Sequence, residues 1–238
     1  MYQNWLEICY CGNMTDRIKE KLLVNNEVYH VMSRSIANYQ IFNTDKDYSR
    51  MIDLLKYYQR ENLPIRYSMF LRQSGVQASG FDRYFDSLFR DYEKIIEIIT
   101  YCMMPNHIHL VLKQLKENGI SIFMSNILNS YTRYFNILHK RKGPLWESRF
   151  KHILVEKDEQ LLHLTRYIHL NPTSAKLVKK PELWRHSSYL EYIRPDVIYR
   201  LTKYDDILEI HSKDYKKFVN DRKDYQQELS LIKKIISP

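Results

Sequence analysis

The stretch Tyr101–Leu112, YCMMPNHIHLVL, sets an apolar run on each side of Pro105-Asn106, and the second run opens with His107-Ile108-His109. Side chains on an extended strand alternate between faces, so His107 and His109 share one face while Ile108 and Leu110 share the other. On a helix the two imidazoles would diverge. Pro105 selects the strand, because the residue before a proline is held extended and proline fits neither a helix interior nor a central ladder. The pair is therefore predicted to open a strand just past a tight turn. Imidazole is the commonest metal-binding side chain, and two on one strand face offer two adjacent coordination positions. Ordinary surface or core histidines can share this spacing, so the motif alone leaves both readings open.

Working outward, Lys94–Met104 (KIIEIITYCMM) reads as the strand before the turn, and His107–Lys113 returns antiparallel to it. Glu27–Ser35 (EVYHVMSRS) alternates Val28, His30, Met32 against Tyr29, Val31, Ser33 as a first strand, with Arg34 at its end. Asp45–Gln59 carries Tyr48, Met51, Ile52, Leu54, Leu55 and Tyr58 at helical spacing behind Thr44 as cap. Residues 61–93 read as an insertion, with a polar centre, QSGVQASG, between two strand-like or helical pieces. Ile120–Lys140 is a second amphipathic helix, Arg149–Glu156 (RFKHILVE) a short strand, and a third helix runs from about Lys157 to His169. This order predicts an α+β fold, an antiparallel sheet with helices packed on one face in the ferredoxin-like manner. Around that domain, residues 21–195, lie an N-terminal extension (1–20) and a charged, helical C-terminal region (196–238).

Composition bounds the partners. With 44% hydrophobic residues, five Gly and seven Pro in 238, the chain can bury a sizeable core and does not fit a disordered class. Lys and Arg number 37 against 28 Asp and Glu, a net +9, which favours nucleic acid or another polyanionic surface. The sequence shows no apolar run of about 18 residues and no charged-then-apolar leader. A cytoplasmic protein without a membrane partner is expected. Cys9, Cys11 and Cys102 lack the C-x-x-C spacing and read as reduced thiols. Twenty tyrosines serve packing first, although tyrosine also stacks on unpaired bases.

The helix after Lys157 places Gln160, His163, Tyr167 and Asn171 along one row, beside an apolar row of Leu161, Leu164 and Ile168 that would face the sheet. Pro172 predicts that the helix stops near Asn171. An amide oxygen beside two imidazoles makes a mixed N/O donor set suited to Mg²⁺ or Mn²⁺, and a phenol next to such an ion can serve as nucleophile. Taken by themselves, Tyr167 reads first as a packing residue and Asn171 as a helix end, ahead of nucleophile and ligand.

Four blocks, YHVMSR, CMMPNHIHLVL, GPLWESRFK and DEQLLHLTRYIHLNP, occur in that order within about residues 27–192 and resemble the single-tyrosine HUH transposases, particularly the branch associated with repetitive extragenic palindromes. The resemblance implies an enzyme of DNA transposition or of repeat processing that cleaves and rejoins single-stranded DNA. It implies Tyr167 as nucleophile, forming a 5′-phosphotyrosine, and a divalent metal, Mg²⁺ or Mn²⁺, on His107, His109 and Asn171. Much of the wider family uses Gln as the third ligand, and Asn171 departs from it. Members occur as monomers and as dimers that can exchange the tyrosine helix. A homodimer is compatible with that, but the short connection before the Tyr167 helix favours a site completed within one chain.

DNA contact is expected from Lys140, Arg141, Lys142, Arg149 and Lys151 on phosphates, with Trp146 stacking on bases. The structural alternatives are a solvated helix end for residues 140–142 and a core position for Trp146. Two other functions fit the same motifs: a non-catalytic regulator that binds DNA or RNA hairpins, and a hydrolytic metallonuclease that uses water as nucleophile.

Overall fold

The computed structural model describes residues 23–194, 196, 200–208 and 210–221. The N-terminal extension of residues 1–20 and the end of the C-terminal region lie outside the described residues.

The His-containing hairpin forms as the sequence predicts. Strand β2 (Ile96–Met104) and strand β3 (His107–Gln114) pair antiparallel, with Met104 opposite His107 and only Pro105-Asn106 between them. Strand β1 (Val28–Arg34) joins β3 on its other edge, and β4 (Lys151–Val155) joins β1, giving the order β2-β3-β1-β4 with every pair antiparallel. A chain of this order needs crossovers between β1 and β2 and between β3 and β4, and helices supply them. The first crossover contains α1 (Asp45–Tyr57), whose start is fixed by Asp47 accepting from the backbone N–H and hydroxyl of Thr44. The second contains the longest helix, here called α5 (Gly119–Leu138).

Between α1 and β2, the insertion is helical throughout: α2 (Tyr67–Phe70), α3 (Ser74–Ser79) and α4 (Phe81–Phe89). Its polar centre forms α3, and its aromatic residues do not stand apart from the domain. Tyr57 of α1 lies 5.4 Å, ring to ring, from both Phe70 and Phe85, and Tyr67 donates to Asp53 at 2.9 Å. Such ring pairs contribute roughly 0.5–1.5 kcal/mol each beyond their burial.

The class is the one read from the sequence, and α1 and α5 pack on one sheet face. The third long helix does not join them. This helix, α6 (Asp158–Ser174), covers the opposite face. Strand alternation separates the two cores: Met103, Ile108, Leu110 and Leu112 are buried against α1 and α5, whereas Cys102, Met104 and Val111 are buried with Leu161, Leu164 and Ile168 of α6. Helices therefore lie on both faces, because an apolar stripe fixes which side of a helix is buried but not which side of the sheet it meets.

A second difference concerns the end of α6. Pro172 lies inside this helix, which continues to Ser174, with Ala175 N–H donating to Asn171 O at 2.9 Å. The missing proline N–H is outweighed by burial: Ile168, Leu170 and Pro172 itself are all enclosed. Beyond it, α7 (Tyr189–Ile193) and α8 (Ser212–Asn220) complete the second core with Tyr189, Tyr192 and Tyr215. The described part of the C-terminal region thus packs on α6, and helix there is confined to α8.

Candidate active site

His107 and His109 open β3 and face α6, with ring centres 5.0 Å apart. Tyr167 approaches from the helix. Its ring centre lies 6.1 Å from that of His109, nearly perpendicular at 83°. Because α6 continues through Pro172, Tyr167 and Asn171 keep true helical i,i+4 spacing, and the Asn171 amide lies beside the phenol. The structure therefore brings together, within one chain, all four residues singled out as nucleophile and ligands.

Hydrogen bonds fix the state of the histidines. His107 Nδ1 lies 2.6 Å from Asn106 Oδ1, and since a carbonyl oxygen only accepts, Nδ1 carries the proton and Nε2 keeps its lone pair. His109 Nδ1 lies 3.1 Å from Nε2 of His30, whose ring stacks on it at 5.3 Å. With Nδ1 of His109 as donor, its Nε2 is free in the same sense. Burial keeps all three rings neutral: His30 and His107 are pushed down to about 4, the latter helped by the Arg34 charge, and His109 is held well below the ordinary range by burial and then by His107, His30 and Arg34. Neutral imidazole is the form that binds metal.

Tyr167 is nearly enclosed at 7% exposure. Burial raises its pKa, against which the Asn171 amide and the Arg34 charge favour the phenolate. Asn171 Nδ2 is buried and makes no hydrogen bond of normal geometry. Two neutral imidazole nitrogens and the amide oxygen of Asn171 are a donor set that fits a hard divalent cation taking its remaining ligands from substrate oxygens. Among the described residues no three His, Cys, Asp or Glu side chains form a closed metal cluster, so a structural zinc site is not what this arrangement resembles.

The basic residues divide. Lys140, Lys142, Arg149 and Lys151 are exposed. Lys151 pairs with Met32, which pairs with His109, so its side chain shares the His109 face. Arg141 is engaged locally, donating to Asn136 Oδ1 at 2.9 Å and Pro144 O at 3.0 Å. Trp146 takes the core position: it is 8% exposed, and its indole N–H donates to Leu128 O. It is not available to stack on a base, because its ring is packed on Tyr131 beneath α5.

Sequence reasoning missed two residues. His30 was placed on the correct strand face, but its contact spans 79 positions and leaves no local signal. His169 sits two residues beyond Tyr167, fully buried, with Nδ1 2.6 Å from Tyr215 Oη and Nε2 2.8 Å from Ser188 Oγ. It ties α6 to α7 and α8.

Residues 72–171 match the model of the family described as transposase IS200-like, a segment that contains both histidines, Tyr167 and Asn171. This chain is accordingly similar to the IS200-like transposases over the part that builds its site. A curated relative from Haemophilus influenzae, named provisionally as a REP-associated tyrosine transposase, is 27% identical over 112 residues, covering 42% of this chain and 63% of the relative. The match thus spans less than two thirds of that relative's length. A solved structure described as the REP-associated tyrosine transposase bound to a REP hairpin aligns over 79% of this chain and 92% of its own, at 15% identity and a TM-score of 0.48.

Proposed function

We propose that this protein is a transposase of the REP-associated kind that binds single-stranded DNA carrying hairpins, and cleaves and rejoins it through Tyr167. The observation that carries the reading is the approach of the Tyr167 ring to within 6.1 Å of His109, with Asn171 one helical turn further on. Tyr167 Oη attacks the scissile phosphorus, the P–O3′ bond breaks, and the phenol proton is balanced by the proton taken up at the departing 3′-oxygen. The products are a 5′-phosphotyrosine and a free 3′-OH. Attack of a 3′-OH on that phosphotyrosine reverses the step and rejoins strands, so phosphodiester energy is conserved and no nucleotide cofactor is needed.

Free tyrosine titrates near 10, so under about 1% is ionised at neutral pH and burial lowers that fraction further. Arg34 and the Asn171 amide oppose the burial, favouring negative charge on the oxygen as attack proceeds. His107 and His109, held neutral by burial and oriented by Asn106 and His30, present Nε2 lone pairs with Asn171 as the ligand set for Mg²⁺ or Mn²⁺. Such a cation, when bound, polarises the phosphate and stabilises its developing charge. Phosphate contacts fall to Lys140, Lys142, Arg149 and Lys151, all of them exposed.

Labelled single-stranded DNA carrying hairpins from the flanks of the gene, incubated with wild type and Tyr167→Phe, tests the reading. Wild type should cleave, and the variant should bind without cleaving. Cleavage that survives Tyr167→Phe would establish a hydrolytic nuclease, and hairpin binding without cleavage by wild type would establish a regulator.

A further inference from the structure

Arg34 ends β1 directly opposite His107 in the antiparallel ladder, and residues so paired project from the same sheet face. That face carries His107 and His109 and meets Tyr167. The Arg34 side chain is exposed, and no carboxylate among the described residues forms an ion pair with it. Glu147 donates its backbone N–H to Arg34 O at 2.9 Å, yet its carboxylate makes no ion pair with the guanidinium. The charge is felt by His107, His109 and Tyr167 alike. An unpaired guanidinium at the mouth of a site for a phosphodiester is matched by few ligands other than a phosphate, whose oxygens accept its forked N–H groups two at a time.

We propose that Arg34 grips the scissile phosphate itself, holding it in line with Tyr167. This rests on the proposed strand-transfer reading and adds a substrate-binding residue to it. The rim lysines are separate in kind: they are flexible point charges that follow the backbone, whereas Arg34 is fixed at a strand end beside the ligand histidines.

The test uses the cleavage position mapped with wild-type protein, and single-stranded DNA in which that one phosphate is replaced by a neutral methylphosphonate. In the Tyr167→Phe protein, with divalent cations chelated so that only protein groups meet the phosphate, the replacement should weaken binding by about tenfold to a hundredfold, the scale of a lost charge-assisted hydrogen bond. With Arg34→Gln added, the neutral and native DNAs should bind alike. Arg34→Lys, which keeps the charge and loses the fork, should restore part of the difference. An unchanged penalty in Arg34→Gln, or equal weakening of both DNAs, would overturn the proposal while leaving the tyrosine chemistry standing. If wild type cleaves nowhere, the strand-transfer reading fails and this inference with it. Thermal unfolding of Arg34→Gln should match the parent, since the side chain is exposed, and Arg34→Lys carries the comparison if it does not.

Discussion

His30 stacks on His109 and places Nε2 3.1 Å from its Nδ1, so the orientation of one proposed ligand is set by a residue on the neighbouring strand. Outer partners of this kind fix the tautomer and ring angle of ligating histidines, and their loss typically costs about 10–100-fold in metal affinity. His30→Ala should lower the affinity for Mn²⁺ by that factor in a titration followed by electron paramagnetic resonance. His30→Gln, which keeps an acceptor at the same reach, should lose less. Equal affinity in all three proteins would contradict the role.

The buried histidines also predict how stability responds to acid. An unfolded imidazole titrates near 6.5, whereas burial holds His30 and His107 at about 4. Between these values the unfolded chain takes up protons that the folded chain refuses. Stability is therefore full above about pH 6.5 and falls as pH drops toward 4. Urea titrations across that window should show a loss on the order of a few kcal/mol, and a flat profile would contradict the burial of neutral rings.

His169 predicts a link between the C-terminal helices and the tyrosine helix. Its two ring nitrogens meet Tyr215 and Ser188, both buried. His169→Leu removes both contacts, although Ser188 Oγ keeps its bonds to the Tyr101 backbone, and should destabilise the protein by about 1–3 kcal/mol. Hydrogen exchange should then rise in α6 and α8 together. Faster exchange in only one of them would show that the contact does not couple the two.

The salt dependence of DNA binding separates the basic residues. Removing Lys140, Lys142, Arg149 or Lys151 as a phosphate contact should each reduce the slope of log affinity against log salt by about 1. Arg141→Gln should leave the slope unchanged, because its guanidinium is already engaged by Asn136 and Pro144. Trp146→Ala should cost about 3–5 kcal/mol of stability without altering the slope.

What was legible in the sequence had a local cause. Pro105-Asn106 between apolar runs dictates the hairpin, two-residue alternation puts His107 and His109 together, and helical spacing puts Tyr167 beside Asn171. What was not legible depended on distant contacts. The continuation of α6 past Pro172 needs the enclosure of Ile168 and Leu170, which a window around the proline does not contain. Placement of α6 on the second face, the His30–His109 contact and the core position of Trp146 likewise depend on elements far apart in the chain. Short polar runs hid the helix α3, since its six residues have no apolar period of their own.

The central claim is the covalent one, and it is tested by trapping. Wild-type protein incubated with hairpin-bearing single-stranded DNA and Mg²⁺ or Mn²⁺, then denatured, digested and examined by mass spectrometry, should yield a 5′-phosphonucleotide attached to the peptide containing Tyr167. Chelation of the cation and Tyr167→Phe should each abolish it. An adduct on another residue, an adduct that persists in Tyr167→Phe, or nicked DNA with no adduct would contradict the account.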